Sequence, residues 1–274
     1  MRTVKIVEIE NFIVFSDVHL RDPNDEITKI FLNNLDQIIS NIQNKKQKID
    51  ALFLLGDIFD FITVSKKFFL NLWKDVFEKF KKLKDFGVKT YFIEGNHDFG
   101  FEHFHSKRLD QYFTDYGDFI IEFHHKKLGT VVLRHGDNVV CAPTYHKPRS
   151  FFKSYLFQKI ANFFVAGWIM HFICTKYAKK SRNRGAYNAL QPEFLKHCLT
   201  QYLIDYEFQF KKNLDTLIIG HIHVLLNFIY NKTNILVGPD WFSAPNYLYC
   251  DKEGSTTRIF ITDKKAEHFR LNEN

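Results

Sequence analysis

Three short apolar runs in the first hundred residues leave the chain few folds to choose from. Phe12-Ile13-Val14-Phe15, Ala51 to Leu55 and Val88 to Ile93 are too short for helices and too apolar for solvent. They read as strands covered on both faces. Between the first two, Ile27, Ile30, Phe31, Leu35, Ile38, Ile39 and Ile42 recur at helical spacing and predict a helix from about Asp25 to Asn44. Between the second and third, Phe69, Trp73, Val76, Phe80 and Leu83 predict another, with Gly87 as its terminator. Strand–helix–strand–helix–strand order implies parallel pairing through right-handed crossovers. Ligands of such sheets sit beyond the carboxyl ends of the strands.

Each run delivers polar groups to that edge: Asp17-Val18-His19, then Gly56-Asp57-Ile58-Phe59-Asp60, then Gly95-Asn96-His97-Asp98. Two further clusters have the same form. A hairpin predicted over Phe119 to Phe123 and Thr130 to Arg134 leads to His135-Gly136-Asp137, and the run Thr216 to Ile219 leads to Gly220-His221-Ile222-His223. Taken singly, an Asp-x-His pair is most often a surface turn, and Gly-Asn-His-Asp is a sequence that turns favour. Five such clusters in order, each behind an apolar strand, point instead to one shared site. Carboxylates, an amide and imidazoles without a cysteine suit Mn²⁺, Fe, Zn²⁺ or Mg²⁺ in a two-metal hydrolase, whose ions lie roughly 3.5–4 Å apart across a bridging carboxylate.

With these residues the chain resembles the calcineurin-like metallophosphoesterase superfamily, whose ordered signature is D-x-H, G-D-x-x-D, G-N-H-D/E, H-G-D and G-H-x-H. The resemblance covers roughly Phe12 to His223. It implies a four-layer αββα sandwich in the α/β class, with two sheets between helices. It also implies one ion on Asp17, His19, Asp57 and His223 and a second on Asp57, Asn96, His135 and His221, with Asp57 as the bridge. His97 is then the group left to stabilise the phosphoryl oxygens or protonate the leaving group, with Asp98 orienting its ring. Asp60 and Asp137 are expected to support ligands rather than bind metal.

Charge distribution bears on the substrate. The net charge is +7, yet nine of the 38 Lys and Arg fall between Asp137 and Glu193, where no acidic residue stands. The 85 residues between His135 and His221 exceed any simple connection, so we expect one domain over 1–274 with a helical cap inserted at about 147–207. Phe151 to Tyr177 is aromatic or aliphatic on nearly every turn but interrupted by Asn162 and His171, too short a run for a membrane span. It either packs on the core or meets lipid, with Lys153, Lys159 and Lys176 to Arg184 facing phosphates. A helix is expected after Pro192, and the tail returns to strands. Scattered cysteines and an N-terminus without an apolar core of the signal-peptide kind suggest a reducing cytoplasm.

A helical cap of this size after H-G-D is similar to the UDP-2,3-diacylglucosamine pyrophosphatases of lipid A biosynthesis, cytoplasmic enzymes held peripherally on the inner membrane and dependent on manganese. That resemblance implies a lipid-linked nucleotide as substrate, cleaved to 2,3-diacylglucosamine 1-phosphate and UMP. Asn96, Tyr145, Lys176, Lys180, Arg182 and Arg184 would be the substrate contacts. Two departures stand out: His97 replaces the arginine of the best-known branch, and Asn138 to Pro143 lack its aspartates. The Gly56–Asp60 and Gly95–Asp98 motifs also resemble the exonuclease subunits of recombination complexes. A DNA groove calls for a polar basic stripe rather than an apolar one, which argues against nucleic acid. Protein phosphatase, cyclic nucleotide phosphodiesterase and a non-catalytic scaffold are the remaining readings.

Overall fold

The structure, a computed structural model, describes residues 2–62, 66–101, 109–140, 192–241, 244–261 and 266–270. The first apolar run forms β2 (Phe12–Phe15), the second β3 (Ala51–Leu55) and the third β4 (Lys89–Ile93), after an edge strand β1 (Arg2–Glu8). Register is parallel throughout the three, with Phe12 opposite Ala51 and Leu52 opposite Thr90. Helix α1 (Glu26–Gln43) begins where Asp25 accepts the Thr28 N–H and ends at Asn44, within a residue of the predicted bounds. The second predicted helix is two: α2 (Lys66–Leu72) and α3 (Lys74–Asp85). Its inward face is as expected, but the chain breaks at Trp73, whose ψ of 23° leaves the helical range while its ring packs on Phe59 at 5.3 Å.

Beyond them come β5 (Asp115–Gly117), β6 (Phe119–His125), β7 (Gly129–Arg134), a single helical turn at Asp137–Val140, and α4 (Pro192–Phe210). Then follow β8 (Thr216–Ile219), β9 (Asn227–Tyr230), β10 (Thr233–Val237), β11 (Asn246–Cys250), β12 (Thr256–Ile261) and β13 (Ala266–Arg270). One sheet runs β1-β6-β7-β8-β10-β9 and the other β13-β12-β11-β2-β3-β4-β5.

Alternation along the strands builds the layers. Phe12, Val14, Phe53 and Leu55 of one sheet meet Phe123, Val131, Leu133 and Ile218 of the other in a dry seam between the sheets. Phe53 stacks on Phe123 across it at 5.4 Å. The opposite faces are covered by helices: Ile13, Phe15, Leu52 and Leu54 pack with α1, α2 and α3, while Val132, Leu217 and Ile219 pack with Leu195, Leu199 and Leu203 of α4. The result is the expected αββα sandwich. Fully burying one such side chain is worth roughly 1.5–3 kcal/mol, so Phe53→Ala would cost about 3–5 kcal/mol.

Of the predicted cap, only its last part, within α4, lies among the described residues; Tyr145, Lys176, Lys180, Arg182 and Arg184 lie outside them. No helix among the described residues is long and apolar enough to cross a membrane.

Candidate metal centre

The carboxyl ends of the parallel strands from both sheets meet at one edge. β2 ends at Asp17 and His19, β3 at Asp57 and β4 at Asn96; the other sheet supplies His135 after β7 and His221 and His223 after β8. Donor atoms of Asp17, His19 and His223 lie within 4.8 Å of one another, and so do those of Asp57, His135 and His221. Asp57 Oδ2 faces both sets, at 3.5 Å from His135 Nε2 and 3.9 Å from His19 Nε2. Asn96 Oδ1 lies 3.2 Å from His135 Nε2 and so joins the second set.

Three of the ligand imidazoles share one orientation. His19 Nδ1 donates to Asp60 Oδ1 at 3.1 Å, His135 Nδ1 to the Leu55 carbonyl at 2.8 Å, and His223 Nδ1 to Asp240 Oδ1 at 3.1 Å. With Nδ1 engaged, each ring turns its Nε2 towards the carboxylates, and loss of any proton held there leaves the tautomer a metal requires. A third group, His19, Asp60 and His97, also has metal-ligand spacing. Its Asp60 is spent differently, on His19 through Oδ1 and on Arg21 Nε at 3.4 Å through Oδ2, which makes it a support for the first set.

Backbone geometry marks the same residues. Asp17, His19, Asp57, His221 and His223 all have φ between 52° and 70°, the left-handed region, which costs a non-glycine residue about 1–3 kcal/mol. The other non-glycine residues there, Lys45, Lys211, Asn231 and Lys232, follow helix ends or turn a hairpin. Two glycines explain how closely the loops approach. A Cβ on Gly95 would run into the Asp57 carboxylate and its backbone N, and one on Gly56, at φ +81°, would run into the His135 ring. Asp17 Oδ1 is buried and accepts no hydrogen bond. An oxygen aimed inward without a donor, among oriented imidazoles, fits divalent cations as the missing partners.

Electrostatics agree. Burial pushes the Asp57 carboxyl up, but the imidazoles of His135 and His97 outweigh it and hold the group well below the usual carboxylate range. Burial pushes His135 down, yet Asp57 pulls it up to about 10. Burial dominates at His221 and His19, with neighbouring imidazoles adding to it, and both are lowered. A cation arriving beside Asp57 competes with the His135 proton, so its binding releases protons.

One expected contact is not made. Asp98 does not orient the His97 ring: its carboxylate accepts the backbone N–H groups of Asp57 (2.9 Å), Ile58 (2.7 Å), Phe59 (3.2 Å) and Gly95 (2.9 Å), clamping two loops together. Burial, then the charge of Asp57, raises it to about 7. The His97 ring is held instead by the Asp60 carbonyl, to which Nδ1 donates at 3.1 Å, and it packs edge-on to His19. Its backbone N–H donates to Asp57 Oδ1 at 2.8 Å. Sequence reasoning missed Asp240. The signal was present, since Gly238-Pro239-Asp240 follows an apolar strand as the other clusters do.

Fold and site together define a phosphoesterase: the chain belongs to the calcineurin-like phosphoesterase family, whose model matches residues 11–225, and that membership supports a metal-dependent hydrolase. The particular proteins it is similar to are UDP-2,3-diacylglucosamine hydrolases. That of Chromohalobacter salexigens is 33% identical over 87 residues, 32% of each chain. The enzyme of Haemophilus influenzae strain ATCC 51907 is 32% identical over 125 residues, 45% of this chain and 47% of that one. The one from Hahella chejuensis is 28% identical over 146 residues, 52% and 54%. The chain thus spans about a third to a half of the length of these relatives. Among solved structures, Vacuolar Protein Sorting 29 from Cryptosporidium parvum is similar at a TM-score of 0.47 and 12% identity, covering 96% of both chains.

Proposed function

We propose that the chain hydrolyses UDP-2,3-diacylglucosamine to 2,3-diacylglucosamine 1-phosphate and UMP, using two divalent ions, Mn²⁺ in the cell. One ion is assigned to Asp17, His19, Asp57 and His223, the other to Asp57, Asn96, His135 and His221. The observation that carries this reading is the position of Asp57 Oδ2 between two imidazoles from different sets. The substrate rests on the similarity to named hydrolases of that lipid. When bound, the ions supply an activated water and neutralise phosphoryl charge.

The residues do the rest. Nδ1 of His97 is committed to the Asp60 carbonyl, so Nε2 is the nitrogen left to face a substrate. Roughly a third of that side chain is open to solvent, unlike the buried donors around it. It contacts a phosphoryl oxygen or protonates the departing group, a role worth about 10²–10⁴-fold. Asp98 is a positioning residue that fixes the 57–59 backbone. The insertion at 147–207 of a single 1–274 domain is assigned to the acyl chains and the membrane surface, with Tyr145, Lys176, Lys180, Arg182 and Arg184 on the phosphates. The same reading assigns the protein to the cytoplasm, peripheral to the inner membrane.

The test is a substrate panel with Mn²⁺: UDP-2,3-diacylglucosamine in detergent, an aryl phosphodiester, duplex and single-stranded DNA, a phosphoprotein and a cyclic nucleotide. UMP release is expected. Hydrolysis of the aryl diester alone would keep the metal site and sink the lipid assignment. Salt-sensitive DNA cleavage would replace it with a nuclease.

A further inference from the structure

A buried cation outside the metal ligands has no part in the chemistry described so far. Arg258 sits in β12, and only 2% of it is exposed. Burial pulls its guanidinium down to about 10 and the charge of Asp240 opposes that, so it stays cationic at neutral pH. An ionised side chain is expensive to bury unless its donors are all placed. Here three of its hydrogen bonds converge on one loop. Nη2 donates to the Val237 carbonyl at 2.8 Å, and Nη1 donates to the Gly238 carbonyl at 3.3 Å and to Asn246 Oδ1 at 3.2 Å. Asn246 passes the grip inward: its Nδ2 donates to the carbonyls of Asp240 and Ala244, both at 2.7 Å. Its own carbonyl accepts from Trp241 Nε1 at 2.7 Å.

The loop from Val237 to Asn246 is therefore held at both ends by one guanidinium. In its middle stands Asp240, the carboxylate that receives Nδ1–H of His223 at 3.1 Å. His223 Nε2 in turn faces the buried Asp17 Oδ1 at 3.7 Å. We infer that Arg258 is a positioning residue for the metal centre, fixing His223 as a ligand through Asn246 and Asp240. The inference rests on the reading of His223 as a ligand. It adds that one ion depends on a residue from the antiparallel part of the sheet that carries β2 and β3, outside every ligand cluster.

Isothermal titration of the chelated full-length protein with Mn²⁺ separates the two claims. Wild type is expected to take up two ions and Asp240→Asn to bind one of them 10–100-fold more weakly, as removal of a ligand's supporting partner typically does. A wild type that takes up fewer than two ions overturns the metal reading itself. Arg258→Met is expected to weaken the same ion as Asp240→Asn, with Arg258→Lys recovering part of the loss. The Arg258→Met/Asp240→Asn double variant should lose no more than Asp240→Asn alone. A variant that lowers the melting temperature but binds both ions like wild type would show a merely structural arginine and overturn the inference, as would fully additive losses. If Arg258→Met does not fold, Asn246→Ala carries the same expected loss and the same refutation.

Discussion

Both halves of the candidate centre are built on carboxylates and imidazoles, the second with the Asn96 amide added, but they are supported differently. In the first, His19 and His223 each lean on a buried carboxylate, Asp60 and Asp240. In the second, His135 leans on the neutral carbonyl of Leu55 and lies beside the Asn96 amide. A carboxylate behind an imidazole raises its basicity and fixes its ring more firmly than a carbonyl does. The first half should hold its ion more tightly, and the second should be the half where an ion exchanges. Asp57 Oδ2 faces an imidazole of each half, and in the proposed ligand assignment it couples them.

Removing the shared residue should have the largest effect. Asp57→Ala is expected to lower phosphodiester turnover by at least about 10²-fold, as loss of a single positioned group often does. An active Asp57→Ala enzyme would mean that the halves work separately. Next, Asp60→Asn keeps the shape of the support and removes its charge, and should cost the first ion 10–100-fold in affinity while leaving the second unchanged. Equal losses at both ions would erase the contrast between the halves. The smallest change, Gly95→Ala, adds one methyl group where Asp57 already lies. Overpacking of this kind costs about 1–3 kcal/mol, readable as a lower denaturant midpoint. Full stability would mean that the loops approach less closely than described.

Much of this was legible in the sequence because strand ends carry it. β8 matches its apolar run residue for residue, and α1 lies within the bounds its apolar spacing predicts. The run Arg2–Glu8 was read only for the missing apolar core of a signal peptide. Its alternating charge and aliphatic residues are the period of the half-buried edge strand it forms. Asp98 was misread because its partners are backbone N–H groups, which no side-chain pattern reveals. Arg258 was illegible for a related reason. An arginine after two threonines reads as solvent-facing, and only the pairing of β12 with β11 turns it towards the end of β10.

The proposed centre requires two ions that share Asp57. Electron paramagnetic resonance of the chelated protein titrated with Mn²⁺ tests it most directly. Two Mn²⁺ per chain are expected, with an exchange-coupled spectrum that Asp57→Ala converts to that of isolated ions. A single uncoupled Mn²⁺ at saturation in the wild type would contradict it.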